Sequence, residues 1–192
     1  QECSSGVSDH ELIKIAVRSM GLNDIHLFKP EEKIIEYVMA KNNKKERLIA
    51  MSLKEFVNET ASESPAPGGG SISAYIGSLG AALGSMVANL SSHKRGWDDR
   101  WEEFSFWAEK GKTIQNSLLN LVDEDTDAFN RIMDAFALPK KSDEEKQLRT
   151  YTIQEATKNA ILVPFKVMET AYSGFELVKE MAEKGNPNSI TD

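Results

Sequence analysis

The chain has 192 residues, of which 30 are acidic and 23 basic, and its net charge is −7. This length suits one medium domain, or a domain with an appendage, that buries a core without disulfide or metal support. The negative charge argues against nucleic acid and against an anionic membrane surface as partners.

The cysteine and histidine content gives no sign of a metal centre. Cys3 is the single cysteine, and His10, His26 and His93 are widely scattered, so no pair has the spacing of a zinc or iron site. We therefore expect no metal and a reducing, cytoplasmic setting. The first nine residues lack the basic start and apolar run of a signal peptide. Because the chain begins with Gln1 instead of Met, we expect it to be a piece of a longer protein.

The first 40 residues have the pattern of a small helical unit. Apolar residues at helical spacing precede Gly21, a typical helix end, and predict a helix from about residue 10 to residue 20. A second short helix should begin at Pro30 and continue through Ile34, Ile35 and Val38. The polar, charged stretch 41–46 is typical of a solvated linker. We therefore predict three parts: 1–40, a linker at 41–50, and a second domain at 51–192.

The second domain should open with a helix capped by Ser52, with Glu55 three residues later. After three glycines comes an uncharged segment, 71–92. Small residues recur in it at steps of three and four, namely Ala74, Gly77, Ala81, Gly84 and Ala88. Such a stripe lets another backbone approach closely, and we expect it to pack across a subunit boundary. The segment is also long enough to cross a membrane, but its serines and sparse bulky aliphatics favour a buried helix in a soluble bundle.

Two long helices are predicted in the remainder of the chain. One apolar face persists from Asp98 to Phe136, over about ten turns. A further helix should begin after the N-cap Ser142, bend at Pro164 and end at 185–188. No alternating strand pattern appears after the linker. The predicted fold is therefore all-α, a long-helix bundle preceded by the short remnant of another domain.

Asp125 interrupts the apolar stripe of the first long helix. Extending the stripe from Val122 by one turn reaches Asp125 before it resumes at Ala128, whereas the nearby acids Asp123 and Asp127 should lie off that face. A core-facing carboxylate must be paired, hydrogen-bonded or protonated. Two interpretations stay open: a carboxylate that transfers protons in a cleft, or a structural one that caps or bridges a neighbouring helix.

The segment Gly68-Gly69-Gly70-Ser71 is the second candidate feature. Glycines before a helix expose backbone N–H groups that can hold an anion or a polar ring, although the segment could equally be a plain turn. Lys94, Lys140 and Arg149 are the basic residues best suited to contact an anionic ligand, and each could equally be a solvated surface charge.

Several short segments carry a family resemblance. Residues 64–71, 80–87, 125–129, 138–140, 154–156, 163–164 and 185–189 occur in the order seen in the cyclodeaminase/cyclohydrolase family. Residues 19–22 and 28–37 are similar to the C-terminal end of a formiminotransferase domain. The chain thus resembles a fragment of a bifunctional formiminotransferase-cyclodeaminase. The family continues into further long helices, so we expect the second domain to be truncated at its C-terminal end.

The resemblance implies a reaction that converts 5-formimidoyltetrahydrofolate into 5,10-methenyltetrahydrofolate and ammonia in histidine degradation. The expected ligand is a folate, which can be polyglutamylated, and no metal is expected. The resemblance implies Asp125 as the catalytic residue. From the small-residue stripe we expect a homodimer or higher homo-oligomer. The folate-binding residues expected are Gly68, Gly69, Gly70, Ser71, Lys94, Lys140, Arg149, Asn186 and Asn188. Two alternatives remain: a methenyltetrahydrofolate cyclohydrolase on the same fold, or a non-catalytic helical oligomerisation module.

Overall fold

The computed structural model describes residues 9–35, 37 and 47–192. The helices include α1 (Asp9–Ser19), α2 (Leu22–Ile25), α3 (Pro30–Lys33), α4 (Leu53–Thr60), α5 (Gly69–Ser92), α6 (Trp101–Ala137) and α7 (Asp143–Lys184). Short 3₁₀ turns cover Leu48–Ala50, Asp98–Arg100 and Pro187–Ser189. None of the described residues lies in a β-strand, so the all-α prediction is confirmed.

The two predicted helices of the first 40 residues differ in outcome. α1 ends at Ser19, and Gly21 has a φ of 62°, a left-handed conformation that favours glycine. The second helix is interrupted, because α3 stops at Lys33 and Ile34 takes an extended conformation. Helical backbone is present again at Ile35, so the single helix predicted here is wrong. Val38 lies outside the described residues.

The predicted N-caps of α4 and α7 are confirmed. Ser52 accepts a hydrogen bond from the Glu55 backbone N–H at 3.3 Å, and the Ser52 N–H donates to the Glu55 carboxylate at 2.9 Å. Ser142 and Glu145 form the same reciprocal pair at the start of α7. Both helices therefore begin with a capping box, which satisfies donors that a helix end otherwise leaves unpaired.

The small-residue face of α5 packs against α6 and α7 of the same chain. A Cβ atom added to Gly84 would lie 2.8 Å from Cδ2 of Leu177, and one added to Gly77 would lie 3.3 Å from Cδ1 of Leu118. The expectation that this face packs across a subunit boundary is therefore wrong. Leucine side chains from the two neighbouring helices already fill the space beside the small residues.

Buried serines also face inward on α5. The Ser78, Ser85 and Ser91 hydroxyls donate to backbone carbonyls three or four residues earlier, at 2.7, 2.9 and 2.7 Å, so these polar groups are satisfied within the helix. α5 has 24 residues, an 18-residue stretch of it has a mean hydropathy of 1.3, and it is the one helix among the described residues that is long and apolar enough to cross a membrane. Its packing between α6 and α7 accords with the bundle-helix interpretation.

The long helices α6 and α7 run for 37 and 42 residues, and α7 continues through Pro164. Leu118, Leu121 and Val122 of α6 form the centre of the core beside the N-terminal half of α5. Leu48, from the 3₁₀ turn before α4, packs into the same core. The last residues of the predicted linker 41–50 thus contact the bundle. Residues 41–46 lie outside the described part of the chain, and the domain limits stay a prediction.

The close approach between helices predicts opposite effects for two glycines. A Cβ on Gly111 would overlap the Ser85 Oγ and lie 2.7 Å from Leu177, whereas a Cβ on Gly80 would meet nothing within 4 Å. We expect Gly111→Ala to destabilise the fold by about 1–3 kcal/mol through overpacking. Gly80→Ala should stabilise it by about 0.5–1 kcal/mol, since alanine is the better helix former. Urea unfolding of both variants measures the difference, and equal effects would contradict this packing.

Candidate functional site

Asp125 lies on α6 against the first turn of α5. Its Oδ2 accepts a hydrogen bond from the Ser71 backbone N–H at 2.8 Å and lies 3.0 Å from the Ser71 hydroxyl. Gly68 occupies the N-cap position of α5 and has no side chain to accept such a bond. The carboxylate of Asp125 therefore caps α5 from the neighbouring helix, at the positive end of the α5 dipole.

The Ser71 hydroxyl lies within hydrogen-bond distance of three oxygen atoms. Its side chain is fully buried, and its Oγ lies 3.0 Å from the Val122 carbonyl oxygen and 3.4 Å from the Thr126 hydroxyl, besides its contact with Asp125. A hydroxyl carries one hydrogen, so it serves one of these acceptors at a time. Both hydrogen bonds to Asp125 end on Oδ2, and Oδ1 takes part in neither of them. Oδ1 lies against Gly70, where an added Cβ would overlap it.

The three glycines before Ser71 differ in how closely they approach Asp125. A Cβ on Gly70 would overlap the carboxylate, whereas one on Gly68 would lie 4.0 Å from Oδ2 and one on Gly69 would meet nothing within 4 Å. The absence of a side chain at Gly70 is thus what allows the carboxylate to reach the Ser71 N–H. Gly68 and Gly69 are not required for that contact.

A small cavity opens beside this contact, and we call it the site cavity. It has a volume of about 130 Å³ and is lined by Pro65, Ala66, Gly68, Asp125, Thr126, Phe129 and Ala160. The structure thus brings Asp125 and the glycine segment together around one cleft, as the sequence-based hypothesis requires. Among the described residues, no group of three His, Cys, Asp or Glu side chains could hold a metal ion.

The structure does not bring Lys94, Asn186 and Asn188 to Asp125 within one chain. Lys94 follows the C-terminus of α5, and the 24 residues of that helix separate it from the glycine segment by about 36 Å. There its ammonium lies 3.3 Å from Oδ1 of Asn186 and 4.0 Å from the Trp97 ring centroid. The separation follows from the helix predicted over 71–92, because a rigid helix places its two flanking segments at opposite ends of the bundle.

Arg149 and Lys140 lie near the other end of α6. The Arg149 guanidinium donates to the Phe136 carbonyl at 3.2 Å, in the last turn of α6, where a cation is favoured by the helix dipole. Phe136 is 11 residues beyond Asp125, or about 16 Å along the helix. Lys140 is exposed in the loop between α6 and α7. Neither residue lines the site cavity.

Asp123 is a half-buried carboxylate that the sequence pattern placed off the core face. Its Oδ1 accepts a hydrogen bond from the Leu48 N–H at 2.9 Å, and its Oδ2 is buried without a hydrogen-bond partner among the described residues. Burial raises the pKa of Asp123, while the N–H groups of Leu48 and Ile49 oppose that shift. The sequence carried no signal for this contact, because Leu48 is 75 residues away.

The glycine contacts predict that one of two adjacent substitutions disturbs the site. In Gly70→Ala the new methyl group would displace the Asp125 carboxylate, so we expect a loss of about 1–3 kcal/mol from overpacking and the weakened cap. Gly69→Ala, the matched control, should leave the free energy of unfolding within about 0.5 kcal/mol of the original. Chemical denaturation of both variants checks this, and a Gly70→Ala protein as stable as the control would argue against the contact.

Comparison with known proteins identifies the family of this chain. Residues 52–192 match the family described as formiminotransferase-cyclodeaminase, and residues 1–40 match the formiminotransferase domain. The chain is 34% identical over 186 residues to the rat formimidoyltransferase-cyclodeaminase, and the aligned region covers 97% of this chain and 34% of that protein. It is 38% identical over 141 residues to a methenyltetrahydrofolate cyclohydrolase of Methylorubrum extorquens, covering 73% of this chain and 68% of that protein.

A solved structure shares the fold as well. The crystal structure of formiminotetrahydrofolate cyclodeaminase from Thermotoga maritima superposes with a TM-score of 0.62 at 32% identity, covering 73% of this chain and 66% of that one. The chain spans about a third of the length of the rat and mouse formimidoyltransferase-cyclodeaminases that it matches. The family match over residues 52–192 includes both sides of the Ser71–Asp125 contact. The chain therefore belongs to the formiminotransferase-cyclodeaminase family.

Proposed function

We propose that this chain carries the cyclodeaminase site of a bifunctional enzyme, which converts 5-formimidoyltetrahydrofolate into 5,10-methenyltetrahydrofolate and ammonia. The observation that carries the proposal is the Asp125 carboxylate, held through Oδ2 by the Ser71 N–H and hydroxyl at the edge of a cavity. The Ser71 N–H bond fixes the orientation of the carboxylate at the edge of the cavity.

The reaction needs one group that can both accept and donate a proton. N10 of the folate attacks the amidinium carbon of the formimidoyl group and must lose its proton, while the departing nitrogen must gain one before it leaves as ammonia. A single carboxylate within hydrogen-bond reach of both nitrogens can accept the first proton and deliver the second. Within the described part of the chain, Asp125 is the one carboxylate that lines the site cavity.

The match to the first domain favours the deaminase over the cyclohydrolase. The relatives named formimidoyltransferase-cyclodeaminase align with 94–97% of this chain, whereas the cyclohydrolase relative aligns with 141 residues. A formiminotransferase domain supplies a formimidoyl group on folate, which is the substrate of the deaminase. On this ground we propose that the chain acts in histidine degradation. From its composition we propose a cytoplasmic location. A non-catalytic oligomerisation module would bind no folate and would need no cavity beside Asp125.

Self-association is the second part of the proposal. The side of α5 opposite its small-residue face carries large apolar side chains that remain 39–62% exposed, namely Ile76, Leu79, Leu83, Met86 and Leu90. Their alternating spacing of three and four residues is that of helices that pair along an apolar seam. Contiguous exposed apolar surface of this kind marks an interaction site. We therefore expect a homodimer or a higher homo-oligomer built on this seam of α5.

Replacing Asp125 by asparagine tests the catalytic role. The amide oxygen of the introduced asparagine can still accept the Ser71 N–H bond and cap α5, so stability should change little. The proton carrier is lost, however, so ammonia release from 5-formimidoyltetrahydrofolate should fall by about 10²–10⁴. Folate affinity should change much less.

The matched control is Glu124→Gln, which removes the adjacent carboxylate that pairs with Lys166 on the exposed side of α6. This variant should keep normal turnover. Parallel assays of ammonia release and of methenyltetrahydrofolate hydrolysis separate the deaminase from the cyclohydrolase. Normal ammonia release by the Asp125→Asn variant would refute the assignment.

Replacing Leu83 by glutamate tests self-association. Leu83 is 44% exposed at the middle of the seam, and a charge there would have to be desolvated in a packed interface. Sedimentation velocity should give an oligomer for the original chain and a lighter species for Leu83→Glu. Leu148→Glu, at a 62% exposed position of α7, should leave the oligomer intact. A monomeric original chain at all working concentrations would contradict the proposal.

A further inference from the structure

A second and larger cavity lies between α6 and α7, next to the site cavity, and we call it the interhelical cavity. It has a volume of about 410 Å³, and its polar lining consists of Arg131, Asp134, Thr152, Glu155 and Asn159. Ala156 of α7 lines this cavity, and Ala160, four residues later on the same face of the helix, lines the site cavity. The two cavities are therefore neighbouring parts of one groove between the two long helices.

The sizes of the two cavities indicate that a ligand must use both. Ligand pockets in proteins have volumes of about 300–1,000 Å³, so a site cavity of 130 Å³ is too small for a heterocycle with a side arm. The interhelical cavity falls within that range. A ligand whose reacting atoms lie at Asp125 would therefore place its largest rigid part in the interhelical cavity.

The polar groups of this cavity decide which part of a folate it suits. Its lining has two carboxylates, Asp134 and Glu155, against one guanidinium, Arg131, so its net charge is negative. A glutamate tail, which is itself anionic, would be repelled there. The amino-pyrimidinone edge of a pterin has two adjacent N–H donors, and a carboxylate, which only accepts, complements such a pair with two parallel hydrogen bonds.

Glu155 fits this role better than Asp134. Five residues of α7 separate it from Ala160 at the site cavity, a distance of about 7.5 Å along the helix. That is about the long dimension of a fused two-ring heterocycle. Asp134 is nine residues beyond Asp125, about 13.5 Å along α6, and has Arg131 one turn earlier on the same helix. Both carboxylates are exposed, and neither forms a hydrogen bond or ion pair within the part of the chain that the structure describes, so the distance to Ala160 is what favours Glu155.

We propose that the pterin ring of the folate lies in the interhelical cavity, with its amino-pyrimidinone edge bound by Glu155, its reacting nitrogens at Asp125 and its glutamate tail leaving past Gly68. This inference rests on the proposed folate chemistry and assigns the orientation of the substrate within that site. It directs the tail away from Lys140 and Arg149, which lie beyond the interhelical cavity. Glu155 is thus a substrate-binding residue that sequence inspection did not single out.

The test compares Glu155→Gln with Glu169→Gln, the same substitution at an exposed position of α7 about 21 Å further along the helix. A glutamine offers one acceptor and one donor group to two ligand donors, so affinity for 5-formyltetrahydrofolate should fall by about 10–100-fold in Glu155→Gln. Glu169→Gln should bind like the original chain. In turnover assays Glu155→Gln should raise KM and leave kcat nearly unchanged, the opposite of Asp125→Asn.

Two ligand fragments determine the orientation. Binding of 6-hydroxymethylpterin, which lacks the tail, should weaken in Glu155→Gln, whereas binding of p-aminobenzoylglutamate, which lacks the pterin, should not. Normal folate affinity in Glu155→Gln, or loss of affinity confined to p-aminobenzoylglutamate, would overturn the proposed orientation and leave the Asp125 chemistry standing. Failure of the original chain to bind 5-formyltetrahydrofolate at all would instead refute the proposed function together with this inference.

Discussion

The close approach of α5 to α6 and α7 is the constraint on which the rest of the structure depends. Small residues on the inner face of α5 allow leucines such as Leu118 and Leu177 to pack directly against its backbone. Protein interiors pack at the density of organic crystals, so a single methyl group added at such a contact destabilises the fold. The same approach carries the first turn of α5 onto the Asp125 carboxylate. Interhelical packing and site geometry therefore have one origin.

The proposed function gives Asp125 two roles that sequence analysis had treated as alternatives. Asp125 caps α5 from another helix, which is a structural task, and the cap holds the carboxylate in the orientation that proton transfer would need. A catalytic group is effective when neighbouring groups fix its geometry before the substrate arrives. The structural and the catalytic interpretations thus support each other, since the donors that stabilise the helix also position the acid.

The faces of the helices divide the remaining functions. The inner face of α5 is buried against α6 and α7 of the same chain, and its outer face, centred on Leu83, is exposed. The groove between α6 and α7 carries the polar side chains of the interhelical cavity, from Arg131 to Asn159. Lys94 and Asn186 form a separate group at the far end of α5. The proposed substrate site and the proposed subunit contact therefore lie on different surfaces of the same three helices.

The sequence by itself determined the elements of this protein. Helical periodicity, the capping boxes at Ser52 and Ser142 and the uncharged segment 71–92 predicted the helices of the second domain, because these signals are local. The break in the apolar stripe also singled out Asp125. What only the tertiary structure decided were contacts between distant segments: the Leu48 bond to Asp123, the Ser71 bonds to Asp125 and the cavity beside Glu155.

The separation of Lys94 from Asp125 was already contained in the helix predicted over 71–92, since a 24-residue helix is a rigid spacer of about 36 Å. The face on which α5 packs was undetermined, since a stripe of small residues suits a neighbour in the same chain as well as one in another subunit. Which neighbour fills it depends on the leucines of α6 and α7, and their positions follow from how three long helices pack together rather than from any one of them.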